Sequence, residues 1–460
     1  MNPPSAGSPG ATDDSVRQEL DRVLHDGLVR SVYQPIVRLT SGEIVAYEAL
    51  ARGPEDSPLA TPDALFGAAR RFGRLAELDW ACRVAAVEGA LGAGLERPLV
   101  LFVNVEPEVL TAEAPLGFLE VLDRARERLQ VVIELTERAL TARPAELLRL
   151  VDEVRRYGWW VALDDLGVDP RSVALLDLVR PEVVKLDLAV TQQRICSPWH
   201  AAVVCGAMAY AERSGAILLA EGVETEEHVR LAQARGAAFA QGWHFGRPGP
   251  LVVPPRPRAP LRLRRYRSGR RHGALTQAGP FALASEGHGT LEAPGSVLYG
   301  MSRFLEQEAA SLGPFGLLLA NFQRAERFPE AVRSRYGRLA RDLSLVGALG
   351  VGLVDPPTGV RAGPLAAEDP LAREWTVCAL GPQYAALLAA RERGDGPPKD
   401  APLAQRTFDY VLTFDRDVVT AAASALAQRL LEETPAPDDP EPAASLTAPP
   451  RPSGSRPGGS

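Results

Sequence analysis

Seven short apolar runs in the first half of the chain carry a polar or ionisable residue at or near their ends. IVAYEA carries Glu48, LVLFVN ends at Asn104 and VVIE at Glu134. WWVALDD ends at Asp164 and Asp165, EVVKLD holds Lys185 and Asp187, AILLAE ends at Glu221 and AAFAQ at Gln241. A strand buried on both faces reads as continuous apolar sequence. Carboxylates repeated where such strands stop are costly unless paired or bound to metal. Glu48, Asn104, Glu134, Asp164 and Asp165 offer only oxygen, which suits magnesium, manganese or calcium and argues against zinc. The adjacent Asp164 and Asp165 can each face a different ion. Two divalent ions roughly 3.5–4 Å apart can clamp the attacking and leaving oxygens of an in-line phosphoryl displacement. Phosphodiester hydrolysis is the reaction that this set best serves.

The lysine count sharpens the reading. Of 51 basic residues, only Lys185 and Lys399 are lysines. Lys399 falls in the loop-like GDGPPKDAP, whereas Lys185 sits inside an apolar strand. A compact ammonium on a flexible stem does work that a planar guanidinium cannot. The position calls for a point charge beside a phosphate or a polarised water.

The elements that must bring these residues together alternate along the chain. From Ser15 to about Gly249, strand-like runs are separated by helix-like stretches at 61–72, 78–91, 116–128, 144–157, 199–214 and 226–235. Such alternation predicts repeated β-α units and an α/β fold. Seven or more strands in about 235 residues fit a TIM-like (β/α)8 barrel better than an open sheet. The C-terminal end of barrel strands is where active sites are built. No G-x-G-x-x-G turn follows the first strand, which speaks against a dinucleotide fold.

Composition sets the remaining bounds. The 460 residues allow two domains, with 46% hydrophobic and 24% charged residues and a net charge of −7. This balance gives no global attraction to nucleic acid. No apolar run reaches the roughly 18 residues a spanning helix needs. The N-terminus lacks a signal-peptide pattern, so a cytoplasmic protein is expected. Cys82, Cys196, Cys205 and Cys378 are scattered without paired spacing and read as buried thiols. Residues 1–14 read as a disordered leader, 15–250 as the barrel and 251–275 as a stiff, solvated Pro/Arg-rich linker with eight arginines. Residues 276–432 read as a smaller α/β or α+β domain, and 433–460 as a disordered tail. In the second domain MSRFLEQEAASL and NFQRAERFPEAVRSRYGRLARDL carry helical periodicity, while SLVGALGVGLVD, REWTVCALG and RTFDYVLTFD read as strands.

The segment YQPIVRLTSGEIVAYEALAR at 33–52 resembles the opening of an EAL domain, with Glu48-Ala49-Leu50 and Arg52. FVN to Asn104, IELTER at 133–138, LDDLG at 163–167, VVKLD at 183–187, AEGVET at 220–225 and AQGWHFGRP at 240–248 follow in the family's order. The resemblance implies a barrel-type phosphodiesterase that linearises cyclic di-GMP to 5′-pGpG with two Mg²⁺ or Mn²⁺ ions. By position, it implies that Glu48, Asn104, Glu134 and Asp164 serve the first ion, and Asp164 and Asp165 the second. Lys185 matches the lysine that contacts the attacking water, Glu221 a base or ligand near the second ion, and Glu137 the acid that holds the loop after Asp165. Leu50 and Arg52 match the guanine and phosphate sites, and Gln34, Asp187, Gln241 and Pro248 match further substrate or pocket positions.

The loop after Asp165 departs from the family's D-D-F-G-x-G-x-S-S-L. Here Leu166, Asp169 and Arg171 replace the phenylalanine, the second glycine and the first serine. A glycine in a tight loop often supports a positive φ that other residues adopt less readily; aspartate is among the more tolerant substitutes, and Pro170 restricts the residue before it. The change bears on slow turnover and on the dimer-coupled activation known in the family. Residues 276–432 resemble the DICT sensory domain through NFQ (321–323), RF (327–328), RY (335–336), DPLAREW (369–375), GPQYAALL (381–388) and FDRD (414–417). Two functions are expected from these features. One is a phosphodiesterase controlled by the second domain, with a homodimer or a signalling protein as partner. The alternative is a catalytically silent receptor for cyclic di-GMP.

Overall fold

The computed structural model describes residues 9–106, 109, 118–136, 144–169, 171–192, 198–254, 257, 259–264, 279–286, 288–393 and 401–430. Eight strands close a barrel in sequence order. They are β1 (Arg30–Arg38), β2 (Ile44–Arg52), β3 (Val100–Val105), β4 (Gln130–Thr136), β5 (Trp160–Leu166), β6 (Val183–Leu186), β7 (Ile217–Ala220) and β8 (Phe239–Gln241). From β2 to β8 the neighbours run parallel. β1 runs antiparallel to both β2 and β8. The cause is the short link between β1 and β2, in which Gly42 turns at φ 69°. A link of that length can close a hairpin but cannot hold the crossover that a parallel pair requires.

Helices at Leu75–Gly92, Phe118–Arg128, Pro144–Arg156, Arg171–Val179, Pro198–Ser214 and Glu226–Ala234 follow successive strands. Five of these match expected stretches within a few residues, and the expected 61–72 is the helix Pro62–Arg71, whereas Arg171–Val179 is not among the expected helices; residues 116–117 lie outside the described residues. A helix at Pro9–His25 starts inside the stretch expected to be a leader. The beginning of the expected linker is also not a solvated spacer. Tyr47 donates to the Val252 carbonyl at 2.6 Å, Arg38 to that of Ala259 at 2.8 Å, and Leu261 is buried with the barrel's inner core.

The second domain is built on a seven-stranded mixed sheet in the order β12-β11-β10-β13-β14-β15-β9. These are β9 (Leu291–Pro294), β10 (Leu317–Arg324), β11 (Leu345–Val351), β12 (Val360–Leu365), β13 (Glu374–Leu380), β14 (Ala385–Glu392) and β15 (Thr407–Thr413). The helical reading of 321–343 needs correction at its start. Asn321–Arg324 ends β10, and the helix runs from Glu330 to Asp342 with Pro329 as its cap. Proline fits a helix start and not its interior. Trp375 packs edge-on against Phe408 with ring centroids 5.7 Å apart.

The two domains share one apolar core. The helix Arg416–Ala427 packs on the helices Arg171–Val179 and Pro144–Arg156 of the barrel. All nine residues of Arg171–Val179 except Arg171 are buried. A helix that is apolar all round must be covered on all sides, and the second domain supplies the outer cover. Asp177, within this helix, receives Arg416 of the second domain at 2.6 Å and Arg213 of the barrel at 3.3 Å. Arg213 also donates to the Pro382 carbonyl at 3.0 Å. Among the described residues, no helix is long and apolar enough to cross a membrane.

Candidate active site

Strand periodicity explains how distant residues meet. Ala46, Phe102, Val132, Ala162, Val183, Leu219 and Phe239 form one layer of the barrel's inner core. Side chains two positions apart on a strand share a face. Two residues further along the same strands stand Glu48, Asn104, Glu134, Asp164, Lys185, Glu221 and Gln241. Gln34 lies opposite Glu48 in the β1–β2 register and joins the same layer. The polar layer thus rests on the apolar one, at the C-terminal end of the parallel strands.

Lys185 is the centre of this layer and is wholly buried. Its Nζ lies 2.6 Å from Glu134 Oε1, 2.8 Å from Glu221 Oε1, 2.9 Å from Asp164 Oδ1 and 3.8 Å from Glu48 Oε2. Burial alone would lower its pKa, but Asp164, Glu134, Glu221 and Glu48 outweigh burial and hold the ammonium charged. Burial, followed by the charge of Glu48, pushes the Glu134 carboxyl well up. Burial and Asp164 do the same to Glu221. For Glu48, burial is outweighed by Lys185 and by hydrogen bonds from Gln241 and Asn104, so its carboxyl lies below the usual range. Asn104 Nδ2 donates to Glu48 Oε1 at 3.1 Å, and Gln241 donates to Glu48 and, at 2.9 Å, to Gln34 Oε1. Gln34 in turn donates to the Gly246 carbonyl at 3.0 Å.

Asp165 breaks the two-residue rhythm, and the backbone shows why. Register shifts between Leu163 and Leu166, and Asp165 takes φ 58°. Such an irregularity re-aims a side chain, and aspartate tolerates the left-handed region better than most residues. Burial and the Asp164 charge push the Asp165 carboxyl up to about 6. Gly167 follows at φ 118°, where a Cβ would meet Val190 Cγ2 at 2.2 Å. Gly167→Ala is therefore expected to destabilise the fold by about 1–3 kcal/mol, measured by urea unfolding.

Asp169, which stands where the family has its second glycine, takes no positive φ; positive φ falls at Asp165 and Gly167. Asp169 instead accepts from the Arg171 N–H at 2.9 Å through Oδ1 and from Ser172 Oγ at 2.6 Å through its carbonyl. These bonds tie the loop to the start of the Arg171–Val179 helix, a local role that aspartate side chains fill well.

A cavity of about 750 Å³ opens above the polar layer, lined by Glu48, Leu50, Arg52, Asn104 and Asp165 among others. Lys185, Glu134, Asp164, Glu221, Gln34 and Gln241 lie below or beside it and are not in its lining. Asp187 Oδ1 accepts from the Ala189 N–H at 2.7 Å and starts a short helix at Leu188. Pro248 precedes Gly249, which pairs with Tyr33 of β1. Neither Asp187 nor Pro248 lines the cavity. Glu137 lies outside the described residues. Sequence reasoning missed Asp63, Phe66 and Arg70, which line the cavity from the Pro62–Arg71 helix. Their spacing on one helix face was the available signal.

The donor set fits divalent cations. Asp164, Asp165 and Glu221 can bring one oxygen each within 4.8 Å of one another. The Lys185 ammonium lies 2.6 Å from Oε1 of buried Glu134, and Oε2 has no hydrogen-bond partner. A divalent cation would pair that remaining oxygen.

The sequence model of the EAL domain family matches residues 17–248, half of the chain. The chain belongs to the EAL domain family. A second family model, the Sensory domain in DIguanylate Cyclases and Two-component system, matches residues 286–393. The EAL barrel is similar to cyclic di-GMP phosphodiesterase NbdA of Pseudomonas aeruginosa, 28% identical over 250 residues that cover 52% of this chain and 31% of that protein. It is also similar to cyclic di-GMP phosphodiesterase RocR of the same species, 31% identical over 235 residues, 50% of this chain and 59% of RocR. The chain thus spans less than two thirds of the length of either relative. Among solved structures, the PaMucR phosphodiesterase in complex with c-di-GMP aligns at 22% identity with a TM-score of 0.44, covering 51% of this chain and 98% of that one. The two family models match separate stretches of the chain, 17–248 and 286–393.

Proposed function

We propose that the chain is a divalent-metal-dependent phosphodiesterase that hydrolyses cyclic di-GMP to 5′-pGpG and that its DICT domain regulates it. The observation that carries this reading is the buried Lys185 ammonium among four carboxylates beneath a cavity of about 750 Å³ that Glu48 lines. Glu48, Asn104, Glu134 and Asp164 would hold one Mg²⁺ or Mn²⁺ ion, and Asp164 and Asp165 a second, supplying Lewis-acid polarisation of the phosphodiester. Lys185 and Glu221 orient the attacking water, with Glu221 taking its proton. The water oxygen bonds to phosphorus, the P–O3′ bond breaks, and the 3′ oxygen leaves with a proton from solvent water, while Glu221 returns the proton it took to solvent. Leu50 and Arg52 line the cavity above and support the nucleotide. Gln34 and Gln241 hold Glu48 in place. Asp187 caps a helix beside the site, and its part in substrate binding, like that of Pro248, is indirect. The family motif would give Glu137 the task of bracing the loop after Asp165. The direct test is appearance of 5′-pGpG from cyclic di-GMP with metal and its absence with chelator.

Regulation is supported by the shared core at the Arg171–Val179 helix. That helix begins six residues after Asp165, and hydrogen bonds to Asp169 tie the intervening loop to it. A shift of the DICT domain would move this helix and, through it, the Asp165 loop. Arg416→Ala removes the interdomain partner of Asp177 and is expected to lower stability by about 1–3 kcal/mol. It should also speed amide exchange in residues 165–169 and 171 and change the hydrolysis rate. Unchanged exchange and rate in a folded variant would refute coupling through this contact.

A further inference from the structure

Glu221 stands just past the end of β7 and is followed by Gly222, which takes φ 61°. On one side, the Glu221 N–H donates to the Leu186 carbonyl at 3.0 Å. On the other, the Val223 N–H donates to the Gln241 carbonyl at 3.0 Å. Between them, the Gly222 carbonyl accepts from Gln192 Nε2 at 2.7 Å. Gln192 is the last residue of the short helix Leu188–Gln192. A Cβ on Gly222 would overlap Leu188 Cβ and stand 3.4 Å from Gln192 Nε2, so this helix lies directly against the glycine. The same helix meets the other carboxylate loop, where Val190 fills the space beside Gly167, two residues after Asp165. One helix of five residues therefore touches both the glycine that follows Glu221 and the glycine that follows Asp165.

A helix this short does not hold itself, so its place is set by its contacts. Thr191 Oγ1 donates to the Leu186 carbonyl at 3.2 Å. Buried Arg235, at the end of the helix Glu226–Ala234, donates to the Thr191 carbonyl at 2.8 Å. Gln192 is thus a donor fixed to β6 and to a neighbouring helix. Glycine visits positive and negative φ at little cost. Without a donor on its carbonyl, the Gly222 peptide can turn and carry Glu221 with it. Glu221 can bring an oxygen within 4.8 Å of those of Asp164 and Asp165. Gln192 is not in the cavity lining, so it acts on the site through Glu221. Resting on the metal-dependent reading above, we infer that Gln192 is a positioning residue for the second ion: its amide fixes the Gly222 peptide and keeps Glu221 in reach of that ion, beside Asp164 and Asp165.

The test is calorimetric titration of Mn²⁺, without nucleotide, into the full wild-type chain and into Gln192→Met. Methionine keeps the unbranched length and the helix preference of glutamine but has no donor. The variant should bind the second ion about 10- to 100-fold more weakly and the first as before. With cyclic di-GMP and metal, kcat should fall by about 10- to 100-fold while KM stays at the wild-type value. A role in packing alone would lower stability and move neither the ion nor kcat. Urea unfolding identifies a variant that fails to fold, and Gln192→Glu, which has the same shape with an acceptor in place of the donor, then takes its place. A folded variant that binds both ions as tightly as the wild-type chain, or whose loss lies in KM, would overturn the role of Gln192 alone. A wild-type chain that binds no Mn²⁺ would overturn the metal-dependent reading and this inference with it.

Discussion

Lys185→Ala is expected to lower hydrolysis of cyclic di-GMP by about 10²–10³-fold, the usual loss when one preorganised electrostatic group is removed from a reacting centre. The same change has a second, separable effect. Without metal, the ammonium is the cation that Glu134, Glu221, Asp164 and Glu48 share. Removing it leaves buried carboxylates uncompensated, which costs about 3–5 kcal/mol of stability in chelator. Mg²⁺ or Mn²⁺ should restore much of that stability, because an ion that binds only the folded state stabilises it by mass action. Activity should not return with it. Recovery of both would mean that Lys185 serves only to neutralise charge. The pH dependence has a definite sign. Glu134 and Glu221 have carboxyls raised above the unfolded value. Folding therefore favours their protonated forms, and metal-free Lys185→Ala should gain stability as pH falls from their raised folded values toward the ordinary carboxyl value of 4.5. Urea unfolding with chelator at two pH values checks this.

Glu48→Ala is expected to abolish measurable hydrolysis and to weaken metal binding. Its two oxygens take the hydrogen bonds of Asn104 and Gln241, and Gln241 is held in turn by Gln34. Alanine removes one proposed ligand and releases both amides that orient the layer. Partners that orient ligands commonly contribute 10- to 100-fold in affinity or activity on their own, so loss of ligand and partners together should exceed roughly 100-fold. Isothermal titration with Mn²⁺ measures the binding loss apart from turnover. Full activity would remove Glu48 from the proposed metal site.

The barrel and the polar layer were legible for one physical reason. Both faces of a barrel strand are buried, so each strand appears as an apolar run, and a carboxylate at its end stands out. Lys185 was conspicuous because arginine replaces lysine almost everywhere else. The antiparallel β1 was not legible, since an apolar run gives no direction; only the short turn at Gly42 carried that information. The loop after Asp165 was legible as a departure from the family motif, but a motif locates a loop and not which of its residues takes the positive φ. In this chain the left-handed turn falls at Asp165 and Gly167. The Phe66–Arg70 wall was missed because those residues lie on an ordinary amphipathic helix. The docking of the second domain joins Asp177, Arg213 and Arg416 from three separate segments, and no local pattern announces such a meeting. The one local hint was SVALLDLV, a helix too apolar for an outer barrel surface.

The most direct measurement is product analysis after the purified full chain is incubated with cyclic di-GMP in Mg²⁺, in Mn²⁺ and in chelator. Metal-dependent formation of 5′-pGpG, lost in Lys185→Ala, is the expected result. Saturable binding of cyclic di-GMP with no product in either metal would contradict it and make the EAL barrel a receptor.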